Sequence, residues 1–182
     1  TFFFFFFYGI ILTVISDWGE HLGVSNKGLF FMVFTVSSLL IRFVSGKMSD
    51  RIGRVHIIKL SLIILVISLL LIGFADAPLS LMIGSAVYGV ATGMLSPAIT
   101  AWIIDLSHPD HRGKAVATMY IALEAGIGLG AFFAGSFYIT DVNMIPPIFY
   151  AAAIITFIAY LYLQLIYKRK ASIIPQDESS NS

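Results

Sequence analysis

Long apolar runs separated by short polar stretches make up most of the chain. Six such runs can be drawn, at about 1–18, 27–46, 55–75, 79–105, 114–139 and 145–167, each near the roughly 20 residues that cross a bilayer as a helix. A segment inside lipid must satisfy its own backbone hydrogen bonds, and no run shows the alternation of a membrane β-strand. The pattern therefore predicts an all-α membrane protein with six transmembrane helices.

The six predicted helices differ in polarity in a repeating order. The third and sixth are aliphatic or aromatic almost throughout, whereas the first, second, fourth and fifth carry polar and small residues. We expect the polar helices to face one another or an aqueous path, and the apolar ones to face lipid. Two polar helices followed by an apolar one, twice over, predict two inverted three-helix repeats. Residues 1–170 are assigned to this bundle and residues 171–182 to a polar cytoplasmic tail.

The composition agrees with a membrane protein and gives no support to an enzyme. The chain is 58% hydrophobic, carries a net charge of +1 and has no cysteine, which excludes disulfides and cysteine nucleophiles. No serine–histidine arrangement of an intramembrane protease is visible, and no cofactor is expected. His108 and His111 are interpreted as part of a turn rather than as metal ligands, since no fuller ligand set accompanies them. The expected partners are a small solute and the lipid bilayer, and nucleic acid is not among them.

Basic residues gather at one set of helix ends. That set comprises Lys47, Arg51, Arg54, Lys59, Arg112, Lys114, Lys168, Arg169 and Lys170. The positive-inside rule predicts that this side is cytoplasmic, so that the chain begins and ends inside the cell membrane. The chain starts within an apolar run that lacks the features of a signal peptide and finishes in a polar tail. We therefore expect a fragment whose N-terminal portion is missing.

The fourth predicted helix carries a polar stripe at four-residue spacing, formed by Tyr88, Thr92, Ser96 and Thr100. One interpretation is a helix that lines a substrate cavity, and the alternative is a packed helix whose hydroxyls bond their own backbone. Glycines that would allow close helix packing accompany the stripe and recur in the fifth helix. They are Gly89, Gly93, Gly126, Gly130 and Gly135.

Three charged residues fall inside or near the ends of the apolar runs. Glu124 lies about ten residues into the fifth helix, where an ionised carboxylate costs several kcal/mol unless it is paired or neutralised. It is either the partner of Arg42 in an ion pair or a proton carrier, with the pair slightly favoured. Arg42 itself could be a snorkelling side chain near the end of the second helix. Asp17, at the outer end of the first helix, is a second candidate carrier.

Residues 46–54 place four charges and two glycines between two apolar runs, which predicts a very short loop at the membrane face. The stretch resembles the signature loop of the major facilitator superfamily, of the form G-x-L-a-D-R-x-G-R. Met48 and Ser49 stand at its variable apolar and small positions. The matching residues are Gly46, Asp50, Arg51, Gly53 and Arg54.

Two further stretches strengthen this resemblance, which covers nearly the whole chain. Residues 109–115 are similar to the family's loop between its fourth and fifth spans. Residues 126–135 are similar to the antiporter signature G-x-x-x-G-P-x-x-G-G, with Ala131 and Ala134 as departures. The resemblance implies half of a twelve-helix transporter, and the missing start with the finished tail suggests helices seven to twelve.

The resemblance also implies roles for the charged residues near the loop. In such transporters the motif aspartate caps a helix of the opposite half, and the last arginine pairs with an acid at the end of the fourth span. Here those residues are Asp50, Arg54 and Asp105, which would hold the cytoplasmic side closed.

The expected function is secondary transport of a small solute by alternating access. Proton coupling is expected, and efflux or antiport is favoured over uptake on the glycine signature. The alternatives are a proton-coupled uptake symporter and a non-transporting six-helix scaffold or sensor.

Overall fold

The computed structural model describes residues 2–26, 28–136 and 144–171, and these ranges contain six long helices, one 3₁₀ turn and no strand. The five helices after the first are long and apolar enough to cross a membrane, and the first has the same length of 20 residues as the third. The all-α prediction is confirmed. The elements are α1 (Phe2–His21), α2 (Gly28–Ile52), α3 (Arg54–Gly73), α4 (Pro78–Leu106), the 3₁₀ turn (Pro109–His111), α5 (Arg112–Ser136) and α6 (Ile145–Ala171).

The helix α2 is longer than the sequence predicted, and the predicted loop at residues 47–54 is wrong. Helix α2 continues to Ile52, and Gly53 alone separates it from α3. Gly53 adopts a φ of +98°, a left-handed conformation that favours glycine. Its N–H donates to the Ser49 carbonyl at 3.1 Å, and its own carbonyl accepts from the Ile57 N–H at 3.3 Å. The charges therefore mark where the membrane ends rather than where the helix ends.

The helices pair in a way that reflects two related repeats. Helix α1 packs chiefly against α5, α2 against α4, and α3 against both α4 and α6. If helices 1, 2 and 3 are exchanged with helices 4, 5 and 6 in that order, the pair of α1 and α5 becomes the pair of α4 and α2. The pair of α3 and α6 is unchanged by this exchange. This pairing agrees with the predicted architecture of two inverted three-helix repeats. The symmetry is approximate, because α3 packs closely on α4 while α6 contacts α1 only lightly.

Helix α3 is a packed helix and not simply a lipid-facing one. It buries Ser61 and Ser68 on the side that meets its neighbours, although the sequence suggested that it has no interior polar groups. Each hydroxyl donates to its own helix, Ser61 to the Ile57 carbonyl at 2.7 Å and Ser68 to the Leu65 carbonyl at 2.8 Å. These internal bonds satisfy the hydroxyls, so the helix can keep an aliphatic outer face.

Side-chain hydrogen bonds join three helices at one end of the bundle, here called the Trp18 end. The Trp18 indole N–H donates to the Ile72 carbonyl at 3.2 Å, which links α1 to α3. The Tyr150 hydroxyl donates to the Gly73 carbonyl at 2.9 Å, which links α6 to α3. The opposite end is called the Arg54 end. The predicted tail beyond Ala171 and most of the predicted connector 140–144 lie outside the described residues.

Candidate functional site

A charged network joins three helices at the Arg54 end. Arg54 Nε donates to Asp105 Oδ2 at 3.2 Å, and Arg54 Nη1 contacts Asp50 Oδ1. The same Nη1 donates to Ser49 Oγ at 3.3 Å. Arg54 begins α3, Asp50 lies in the last turn of α2, and Asp105 lies near the end of α4. One guanidinium therefore links the ends of α2, α3 and α4.

Each charged side chain in this network lies at a helix end whose partial charge has the same sign as its own. Arg54 sits at the N-terminus of α3, which carries partial positive charge, and both aspartates sit near the negative C-termini of their helices. Pairing the three groups offsets these mismatches. The side chains are 30% (Arg54), 65% (Asp50) and 53% (Asp105) exposed, and exposed ion pairs contribute only about 0.2–1 kcal/mol each. The network is thus easy to break.

The structure separates the residues of the signature stretch into those that join the network and those that do not. The pairing of Arg54 with Asp105, implied by the family resemblance, is present. Arg51 is exposed in the last turn of α2, where a cation suits the helix C-terminus. Gly46 is helical, and a Cβ there would meet nothing within 4 Å in the described residues, so the chain does not turn at Gly46 as the predicted loop implied.

Ser49 is a network member that the sequence did not reveal. Its side chain is buried, and its hydroxyl accepts from Arg54. At the sequence level it counted only as a departure at a small position of the motif. The signal that could have found it is its spacing, since Ser49 lies one turn before Gly53 on a helix that continues through the motif.

A cavity of about 170 Å³ lies between α1, α2, α4 and α5. Helix α4 contributes hydroxyls, and the other three helices contribute aromatic rings together with Arg42. The cavity therefore has one polar wall and several aromatic ones. Its lining residues are Phe4, Phe5, Tyr8, Phe34, Ser38, Arg42, Thr92, Leu95, Ser96, Ile99, Thr100, Met119, Tyr120, Leu123 and Ile127.

The hydroxyl stripe satisfies both interpretations that the sequence left open. Thr92, Ser96 and Thr100 line the cavity. The Thr92 hydroxyl also donates to the Tyr88 carbonyl at 2.9 Å, and the Thr100 hydroxyl to the Ser96 carbonyl at 3.0 Å. A threonine hydroxyl has one proton and two lone pairs. Because the proton is used within the helix, these two threonines present hydrogen-bond acceptors to the cavity.

Tyr88 does not line this cavity, contrary to its assignment in the stripe. It is 1% exposed, and its ring centroid lies 6.2 Å from that of Tyr8 and 5.7 Å from that of Phe34. It borders instead an apolar cleft of about 380 Å³ between α1, α3, α4 and α6. Residues four apart on an α-helix differ by about 40° around its axis. Over the whole stripe this difference accumulates, so Tyr88 faces a different direction from Thr100.

The structure does not bring Arg42 and Glu124 together as an ion pair within its described residues. Arg42 lines the cavity, whereas Glu124 is exposed on α5 and is not among the lining residues. Arg42 lies one turn before Gly46, where the charged stretch begins, although α2 itself continues for ten more residues to Ile52. The snorkelling explanation therefore stays a prediction. Asp17 lies apart from both, near the Trp18 end of α1.

Four of the five predicted packing glycines do allow helices to approach closely. A Cβ at Gly126 or Gly130 would clash with carbonyl oxygens of α1, and one at Gly89 or Gly93 would clash with carbonyl oxygens of α2. Gly135 is the exception, since a Cβ there would meet nothing in the described residues. Its predicted packing role therefore has no partner among the described residues.

Comparison with known proteins places this fold in a defined class. The family model described as Major Facilitator Superfamily matches residues 1–181. The chain therefore belongs to the major facilitator superfamily, a family of membrane transporters and not of enzymes. Its six helices in two repeats form one half of that fold.

Several curated relatives share this similarity. Multidrug resistance protein 2 of Bacillus subtilis is 28% identical over 95% of this chain and 43% of its own length. Multidrug resistance protein 1 of the same organism is 27% identical over 80% of the chain and 37% of its own length. Quinolone resistance protein NorA of Staphylococcus aureus is 25% identical over 90% of the chain and 42% of its own length. The chain spans less than half the length of these relatives.

Proposed function

We propose that this chain is one half of a secondary transporter that moves small organic solutes across the cell membrane by alternating access. The observation that carries the proposal is the cavity with aromatic and hydroxyl walls between α1, α2, α4 and α5. A solute could bind there with its rings against aromatic side chains and its polar groups against hydroxyls. The missing half of the same protein would supply the opposite wall.

The charged network supports a gating role for the Arg54 end. We assign this end to the cytoplasm on the distribution of lysine and arginine. Asp50 is the member most exposed to solvent at 65%, so it is accessible to a helix end of the other half. A carboxylate at a helix N-terminus gains roughly 0.3–1 kcal/mol when exposed. Contacts of this size can hold a closed gate and still open during each transport cycle.

We favour efflux as the direction of transport and a proton gradient as its energy source. The relatives are named as resistance proteins, and resistance is conferred by export rather than uptake. Glu124 is the favoured proton carrier, because it lies midway along α5 and forms no ion pair with Arg42 in the described residues. Asp17 is the second candidate.

The gate is tested by dye efflux from cells that express the complete protein. Asp105→Asn should lower the efflux rate several-fold, because Arg54 loses the carboxylate that links α3 to α4. Protein abundance in the membrane, measured by immunoblot, should change little. The matched control is Asp110→Asn, which removes an 81% exposed carboxylate that contacts only the nearby His108 in the described chain. Efflux that is equally rapid in Asp105→Asn and Asp110→Asn would contradict the gate.

Proton coupling is tested in proteoliposomes with an imposed pH gradient. Glu124→Gln should abolish gradient-driven accumulation of the dye while leaving dye binding in place, because a glutamine side chain cannot carry a proton. Asp17→Asn is the parallel variant. If Glu124→Gln retains coupling and Asp17→Asn loses it, the carrier is Asp17, and if wild-type transport ignores the gradient, proton coupling is wrong.

A further inference from the structure

We propose that Arg42 makes the cavity selective for planar aromatic solutes that carry a carboxylate. This substrate class rests on the transport function proposed above, since it assigns a ligand to the same cavity. The proposal comes from the position of Arg42, from the charges around it and from the rings that share its cavity.

The position of Arg42 makes its charge available to a solute. It lies on the apolar side of the charged stretch 46–54, one turn before Gly46. A charged side chain within an apolar run is unfavourable unless it meets water or a partner. Arg42 is exposed and lines the cavity, so its guanidinium is available to a bound solute.

Arg42 alone carries a charge among the described residues that line the cavity. Glu124, its expected partner, is not one of these residues. The guanidinium has five N–H donors in a planar fork that matches the two oxygens of a carboxylate. Such bidentate, charge-assisted bonds are among the strongest hydrogen bonds in proteins. A carboxylate on the solute would therefore supply the negative charge that the described lining residues lack.

The rings around Arg42 favour a flat aromatic body on the same solute. Tyr8 and Phe34 line the cavity from α1 and α2, with their ring centroids 6.4 Å apart, and Tyr120 lines it from α5. Aromatic pairs in offset or edge-to-face geometry add to the burial of apolar surface. An organic cation would meet the same rings but also the positive charge of Arg42, which opposes its binding.

The test uses two probes that share one ring system and differ in charge, 2-naphthoate and 2-naphthamide. Their affinities are measured by fluorescence titration of the complete wild-type protein, Arg42→Gln and Arg42→Lys. The wild type should bind 2-naphthoate about tenfold or more tightly than 2-naphthamide, equivalent to about 1.4 kcal/mol. Arg42→Gln should remove this preference, and Arg42→Lys should keep part of it. The control Arg112→Gln removes an exposed charge at the start of α5 and should leave the preference unchanged.

Equal binding of the two probes by the wild type would overturn the inference, as would an equal loss of both in Arg42→Gln. The wild-type comparison remains decisive even if Arg42→Gln fails to fold. Dye efflux by the wild type separates this inference from the transport proposal. Efflux without any preference for the carboxylate overturns the role of Arg42 alone, whereas a wild type that exports neither the dye nor 2-naphthoate overturns both.

Discussion

The two main helix interfaces, α1–α5 and α2–α4, use the same means of backbone packing. In the first, Gly126 and Gly130 of α5 face carbonyl oxygens of Phe2 and Phe6 in α1. In the second, Gly89 and Gly93 of α4 face carbonyl oxygens of Phe34 and Ser38 in α2. Glycines at four-residue spacing let two helix backbones come within contact distance, which favours association in lipid. Both interfaces therefore pack through glycines, although these lie on α5 in one and on α4 in the other, two helices that the exchange of repeats does not interconvert.

The side chains around these glycines differ between the two interfaces. The α2–α4 interface includes buried serines, and the Ser85 hydroxyl donates across it to the Phe30 carbonyl at 2.8 Å. The α1–α5 interface is aromatic, with Phe6 and Phe133 ring centroids 5.9 Å apart. The cavity shows the same contrast, since the α2–α4 pair lines it with hydroxyls and the Phe34 ring, whereas the α1–α5 pair lines it with the rings of Phe4, Phe5, Tyr8 and Tyr120. Similar backbone packing thus leaves each interface free to present different side chains.

The largest predicted effect is a clash at the α1–α5 interface. Gly130→Ala would place a Cβ against the Phe6 carbonyl oxygen, closer than a Cβ at any other interface glycine named above. Because backbone cannot yield as a side chain can, we expect strong loss of membrane abundance and of the melting temperature measured by fluorescence-detected gel filtration. Gly93→Ala should be milder, since its nearest backbone atom, the Ser38 carbonyl oxygen, would be 2.6 Å away.

The matched control is Gly128→Ala, two residues from Gly130 on the same helix. A Cβ there would meet nothing within 4 Å in the described chain, and alanine is about 1 kcal/mol better than glycine inside a helix. Abundance should be unchanged or higher. A larger loss of membrane abundance or melting temperature in Gly93→Ala than in Gly130→Ala would reverse the comparison between the two interfaces.

A smaller effect is predicted for the hydrogen bond that joins α2 to α4. Ser85→Ala removes the bond to the Phe30 carbonyl, and such bonds between membrane helices contribute about 0.6 kcal/mol on average. We expect a fall of a few degrees or less in melting temperature. Ser61→Ala is the control, because the Ser61 hydroxyl donates to a carbonyl of its own helix. This substitution should lower the melting temperature less than Ser85→Ala does. Equal effects of the two variants would show that the bond between helices adds nothing.

Local patterns predicted much of this fold. Apolar runs of sufficient length predicted the helices, since hydrophobic length is a property of the chain alone. Their polarity order predicted the two repeats. Motif spacing with the family resemblance predicted the Arg54–Asp105 pair, which links residues 51 positions apart. The prediction of a loop at 47–54 failed because polar residues can extend a helix beyond the membrane, and hydropathy does not detect such an extension.

Other features depended on how the helices pack together. Helical periodicity placed Tyr88 with Thr92, but packing buries the Tyr88 ring against Tyr8 and Phe34, and of these three rings only Tyr8 and Phe34 line the cavity. The expected pair of Arg42 and Glu124 rested on chemical complementarity, and tertiary structure placed only Arg42 in the cavity wall. Gly135 matched the glycine pattern but faces no helix of the described chain.

The sequence by itself determined that this is a helical membrane bundle with two repeats and a charged junction between α2 and α3. These features follow from residue type and spacing along one dimension. Only the tertiary structure decided which side chains share the cavity, which glycines meet a partner, and that one arginine holds two aspartates from different helices. The physical reason is that rotation of each helix about its axis is set by packing against its neighbours, and that rotation determines where every side chain lies.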